Sequence, residues 1–114
     1  GPLNMADHRW LAYGVMDGAR DAGNRWIFPE LLEEGLDPWS GVQKVLLSGS
    51  PKPTHAVDIT GFLEKGIASL QEHKAYIENL AQGFDPVNFL TNSAEMTGKR
   101  SGFPHAASFE VINI

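Results

Sequence analysis

The chain has 114 residues, 42% of them hydrophobic and 20% charged, which suits one domain with a modest core and is too short for two. A formal net charge of -5 without a lysine or arginine cluster argues against a nucleic-acid-binding surface. The absence of cysteine excludes a disulfide framework and a thiolate metal site. No apolar run is long enough to cross a membrane, so we predict a cytoplasmic protein.

The first predicted element is a helix over residues 7–22. Residues 1–4 resemble the remnant that protease removal of a purification tag leaves, so we place the domain at residues 5–114. Asp7 is a typical N-cap residue, because its carboxylate can accept from the free N–H groups of the first turn. Apolar residues then recur at helical spacing, at Leu11, Val15, Ala19 and Ala22.

Short elements follow in the middle of the chain. Residues 29–35 begin with proline and end with glycine, which predicts a short helical turn. Residues 42–48 and 54–59 alternate well enough to predict two strands, and the loop at 49–53 contains two prolines and a glycine.

Two helices and a strand complete the predicted fold. The longest helix covers residues 61–80 with Thr60 as its cap, and a second one begins at the cap Asp85 and ends at Gly98. Residues 105–114 form a strand that is apolar on both faces. The fold class is therefore α/β, with three helices, a short helical turn and about three strands, which are too few for a full sheet.

His8 is the first candidate for chemistry, as a metal ligand beside Asp7. A catalytic zinc takes three protein ligands and leaves one position open. The other histidines are single and widely separated, at His55, His73 and His105. From spacing alone, we favour Asp7 as a helix cap that an incidental histidine follows.

A non-catalytic module that binds or associates is the second class of function. The chain is rich in aromatic residues for its length, namely Trp10, Trp26, Trp39, Phe28 and Phe103. Such residues usually form a core, although they also form binding surfaces. The residues leave both classes of function open.

Asp7-His8-Arg9 resembles the His-x-Asp-His-Arg motif of the PIG-L (LmbE-like) zinc-dependent N-acetylglucosaminyl deacetylases. Further segments resemble the C-terminal part of bacterial members in the same order, at residues 26–31, 45–50, 54–60, 67–73 and 102–109. The resemblance covers residues 6–114 and implies a partial Rossmann-like fold that lacks the N-terminal half with its parallel sheet.

The resemblance also implies roles for single residues. His8 would be a zinc ligand, Asp7 its catalytic motif neighbour, and Arg9 and His105 substrate-binding residues for a GlcNAc-containing small molecule. In the family, a His-Pro-Asp-Asp-Glu motif supplies the other two zinc ligands and the general base. This chain does not contain that motif, and Met5 stands where the first histidine of His-x-Asp-His would be.

We therefore expect the C-terminal part of a metal-dependent deacetylase, with an incomplete zinc site and no activity by itself. The implied reaction is metal-assisted hydrolysis of an N-acetyl amide. One imidazole does not hold a catalytic zinc. The uncovered sheet would favour self-association or pairing with the missing half. The alternative is a non-catalytic scaffold or association module derived from the same family. We expect neither nucleic acid nor membrane as a partner.

Overall fold

The computed structural model describes residues 3–114, and over them the chain has five helices and three strands. The predicted α/β class is confirmed at this level. The elements in order are α1 (Ala6–Asp21), α2 (Glu30–Glu33), β1 (Lys44–Ser48), β2 (His55–Asp58), α3 (Leu63–Gln71), α4 (Lys74–Glu78), α5 (Pro86–Ser101) and β3 (Ala106–Asn113).

The three strands form one sheet in the order β1-β3-β2. β2 is antiparallel to β3, with His55 opposite Phe109 and Asp58 opposite Ala106. At the other edge the Gln43 carbonyl accepts from the Ile114 N–H at 2.9 Å. The partial Rossmann-like fold stays a prediction. The parallel sheet that defines such a fold is expected in an N-terminal half, so these three strands do not test it.

Two structural units make up the chain. One contains the described residues up to Lys52 together with Glu110–Ile114, and the other contains Pro53–Phe109. In the second unit α5 packs against both α3 and β2. Ile67 of α3 and Ala94 of α5 are buried there, as is Ala106 at the start of β3.

Little apolar surface is buried. Four hydrophobic residues are buried, namely Val45, Ile67, Ala94 and Ala106, and no large side chain of the described residues is fully buried. Large apolar side chains of both units are instead exposed, among them Leu11, Trp26 and Phe62.

The prediction of one continuous helix over residues 61–80 is wrong. α3 ends at Gln71 and α4 begins at Lys74, with His73 between them at ψ 53°. The His73 ring nitrogen Nδ1 lies 3.1 Å from the Ser69 carbonyl, while the His73 N–H donates to Leu70 instead. The His73 side chain thus occupies the Ser69 carbonyl, which would accept from the His73 N–H if the helix continued.

Two predicted caps are also wrong. Asp7 lies inside the first turn of α1, where Met5 is the N-cap residue and makes no side-chain cap. α3 begins after Phe62, so Thr60 does not cap it.

Gly98 does not end the last helix as predicted. α5 continues to Ser101 and stops at Gly102, which has φ 82°. Gly98 is buried, and a Cβ at this position would lie 2.9 Å from the Pro104 carbonyl oxygen. Glycine is therefore needed here for the close approach of the returning chain, not for a helix end.

Asp85 caps α5 as predicted. Its carboxylate accepts from the N–H groups of Val87 at 2.9 Å and Asn88 at 3.2 Å. Asp85→Ala should therefore destabilise the chain by about 1 kcal/mol. We expect the urea midpoint, measured by circular dichroism at fixed chain concentration, to fall by about 0.5 M.

Two matched variants test this assignment. Asp85→Asn keeps a cap acceptor and should retain the midpoint. Asp7→Ala should change it less than Asp85→Ala, because Asp7 is not the N-cap residue and accepts only from the neighbouring His8 N–H. Equal losses for Asp7→Ala and Asp85→Ala would contradict the assignment.

Candidate functional site

The first two turns of α1 hold three of the predicted site residues together. Asp7, His8 and Arg9 are all exposed. The Asp7 carboxylate accepts from the His8 N–H at 2.9 Å, and the Arg9 guanidinium donates back to the Asn4 carbonyl. Within the described chain the His8 imidazole makes no hydrogen bond or ion pair. It is thus accessible, and its ring nitrogens are available as ligands.

The described residues do not fit a complete zinc site. Across residues 3–114, no three His, Asp or Glu side chains lie close enough together to hold a metal ion. A catalytic zinc needs three protein ligands. His8 and Asp7 would supply only part of such a site, and the remaining donors would have to come from another polypeptide segment.

His105 belongs to the other unit and is half-buried just before β3. Its carbonyl accepts from the Ile59 N–H at 3.0 Å, and its own N–H donates to the Thr60 hydroxyl at 3.4 Å. The backbone at His105 is therefore fixed against the end of β2. A role for its imidazole in substrate binding stays a prediction.

Asp58 is the one described group with a resolved pKa shift. Hydrogen bonds from the Thr60 hydroxyl and then from the Thr60 backbone N–H, which lies 2.9 Å from Oδ1, lower the pKa of Asp58 below 3.8. Both bonds favour the charged carboxylate. This bonding closes a tight turn at the end of β2 and does not mark Asp58 as an acid catalyst.

The remaining histidines are not grouped into a site. His55 is exposed on β2, and its Nδ1 lies 2.8 Å from the Thr54 hydroxyl. His73 is exposed between α3 and α4. Both have local structural partners.

The aromatic residues do not form a core in this chain, contrary to the interpretation we favoured. The five aromatic residues that the sequence analysis named are all exposed, at 71% for Trp10, 84% for Trp26, 63% for Trp39, 56% for Phe28 and 38% for Phe103. On α1 the predicted apolar stripe is also uncovered, since Leu11 is 67% and Val15 46% exposed. Of that stripe Ala19 is half-buried, together with Ala12 and Met16, which lie outside the stripe.

Two hollows in the first unit are lined by residues that the sequence alone does not group into a site. An apolar hollow of about 360 Å³ lies where α1 meets α2, and its lining includes Ile27, Phe28, Leu31, Leu32, Leu36 and Trp39. A polar one of about 460 Å³ lies at the end of α1, where Arg20, Arg25 and Trp26 line it. Residues 18–40 line both, and the two hollows form because this stretch folds back on the end of α1.

No helix of the described chain is both long enough and apolar enough to cross a membrane. Compared with known protein families and with curated protein sequences, the chain matches none of them.

The hydrogen-bonded turn at Asp58 should make the stability of the folded chain depend on pH. Because its folded pKa lies below the unfolded value of 3.8, Asp58 stabilises the folded chain above that pH. This stabilisation is lost as the pH falls through the folded pKa. We expect the Asp58 carboxyl carbon, followed by NMR, to titrate below 3.8 in the native chain.

Thr60→Val tests the stated cause. The variant removes the hydroxyl but keeps the backbone N–H, so the pKa of Asp58 should rise toward the value found in urea. A native Asp58 that titrates as in urea, or one that does not respond to Thr60→Val, would contradict the assignment.

Proposed function

We propose that this chain is the C-terminal part of a metal-dependent deacetylase that hydrolyses an N-acetyl amide on a GlcNAc-type small molecule in the cytoplasm. It acts as one part of a composite fold of the partial Rossmann-like type. His8 is its zinc ligand, Asp7 the catalytic neighbour of that ligand, and Arg9 and His105 contact the substrate. A second polypeptide segment supplies the other zinc ligands and the general base.

The exposed apolar surface around His8 carries this proposal. Leu11 lies one helical turn after His8 on α1 and is 67% exposed, and Met5, which precedes the helix, is 71% exposed. A segment that covers these two side chains brings its own donors next to the His8 imidazole. The assembled site then needs only one strong donor from this chain.

A non-catalytic association module derived from the same family is the second candidate. It is favoured by the same apolar surface, together with the lack of a three-ligand cluster among residues 3–114. In this alternative the chain binds itself or another protein, and His8 is only an exposed helix residue. The two candidates differ in whether assembly creates a metal site at His8.

A complementation experiment distinguishes the deacetylase from the association module. The chain is co-expressed with the N-terminal half of a PIG-L deacetylase that carries the His-Pro-Asp-Asp-Glu motif, and the complex is purified with zinc. We expect about one zinc per complex by elemental analysis and release of acetate from an N-acetylglucosaminyl substrate. His8→Ala should remove most of both, because it deletes a ligand.

His55→Ala is the matched control, since it removes an exposed imidazole that our assignment does not use. It should keep the zinc and the acetate release. A complex that forms without binding zinc, or zinc that His8→Ala leaves in place, would contradict the deacetylase proposal and favour the association module. Robust deacetylation by this chain alone would contradict the composite site.

A further inference from the structure

We propose that the polar hollow at the end of α1 is a binding site for a neutral sugar ring, which stacks on Trp26. The hollow has a volume of about 460 Å³, within the range of small-molecule sites. Its polar side chains are Arg20, Asp21, Asn24, Arg25 and Ser40. Trp26 is the one aromatic residue in its lining and is 84% exposed.

A defined backbone arrangement forms the hollow. The Trp39 N–H donates to the Ala22 carbonyl at 2.8 Å and fixes the returning segment to the end of α1. Ser40 then lies so close to Gly23 that a Cβ there would be 2.6 Å from the Ser40 hydroxyl oxygen. The Asn24 side-chain oxygen accepts from the Trp26 N–H at 3.0 Å. These contacts hold the loop that carries Trp26.

The charges of the hollow largely offset one another. Arg20 and Arg25 are opposed by Asp21 and by the carbonyl end of the α1 dipole, which is equivalent to about half a negative charge. With little net charge to attract an ion, these polar groups suit a neutral molecule with several donors and acceptors.

Trp26 adds an apolar face to these polar groups. Ile27, Phe28 and Trp39, which are also exposed, share an apolar hollow, whereas the hollow at Trp26 is otherwise polar. The planar groups of Asn24, Asp21 and Arg25 offer paired donors or acceptors to adjacent hydroxyls. A pyranose ring has one apolar face for the indole and equatorial hydroxyls for those groups.

The site is separate from His8 and does not depend on the proposed deacetylase function. Arg20 lies twelve residues after His8 on the same helix, which is about 18 Å along its axis. Binding at Trp26 needs no metal. A His8→Ala variant should therefore bind the sugar as well as the parent chain does, so the two proposals can fail independently.

The test is an NMR titration of the purified chain with methyl β-D-glucopyranoside and no added metal. We expect shifts of the Trp26 indole N–H and of the Gly23 and Ser40 amides, with a Kd of about 1 mM. Trp26→Ala should weaken the amide response at least tenfold. Trp10→Ala is the matched control, because Trp10 is also an exposed tryptophan of the same unit, and it should leave the titration unchanged.

Inorganic phosphate and glycerol test the ligand class. If phosphate produces the same shifts, the hollow binds anions, and if glycerol does, it has no preference for a ring. Either result overturns the proposal. So does a chain whose Trp26 indole and Ser40 amide fail to respond at sugar concentrations about tenfold above the expected Kd, or a response that Trp10→Ala reduces as much as Trp26→Ala does.

Discussion

Burial of apolar surface is the interaction on which a fold of this size depends, and here it is incomplete. Four hydrophobic residues are buried, and two of them are alanines, Ala94 and Ala106. Hydrophobic burial contributes about 25 cal/mol per Å² and must offset about 1–2 kcal/mol of backbone entropy per residue. Backbone hydrogen bonds and caps fix the local elements, but they do not replace a core. The uncovered surface therefore decides how this chain can act.

The same constraint links the fold to the candidate chemistry. His8 is exposed on a helix whose apolar stripe, with Leu11 and Val15, is uncovered. A segment that buries this stripe would stabilise α1 and at the same time change the environment of the imidazole. Assembly and metal binding would then be coupled, because both use the same face of one helix. Trp26 is different, because it is exposed at the edge of a hollow whose other side chains are polar.

Elements with a local signal could be predicted from the sequence. Asp85 caps α5, and the strands were placed to within two residues of their observed ends, because turn and cap chemistry acts over a few residues. The break at His73 depends on a side-chain bond to a carbonyl, and the role of Gly98 depends on a returning chain. Helical periodicity marked the apolar stripe of α1 but could not show that nothing covers it. The polar hollow needs Ser40 beside Gly23, a contact that no local pattern contains.

The central proposal is that this chain covers its exposed apolar side chains by association with another polypeptide. Sedimentation velocity on the purified chain at micromolar concentration, combined with thermal unfolding followed by circular dichroism, tests it most directly. The account predicts that the folded chain sediments as an assembly larger than 12.5 kDa, with an unfolding midpoint that rises with chain concentration. A homogeneous monomer of that mass that unfolds in one sharp transition would contradict the account.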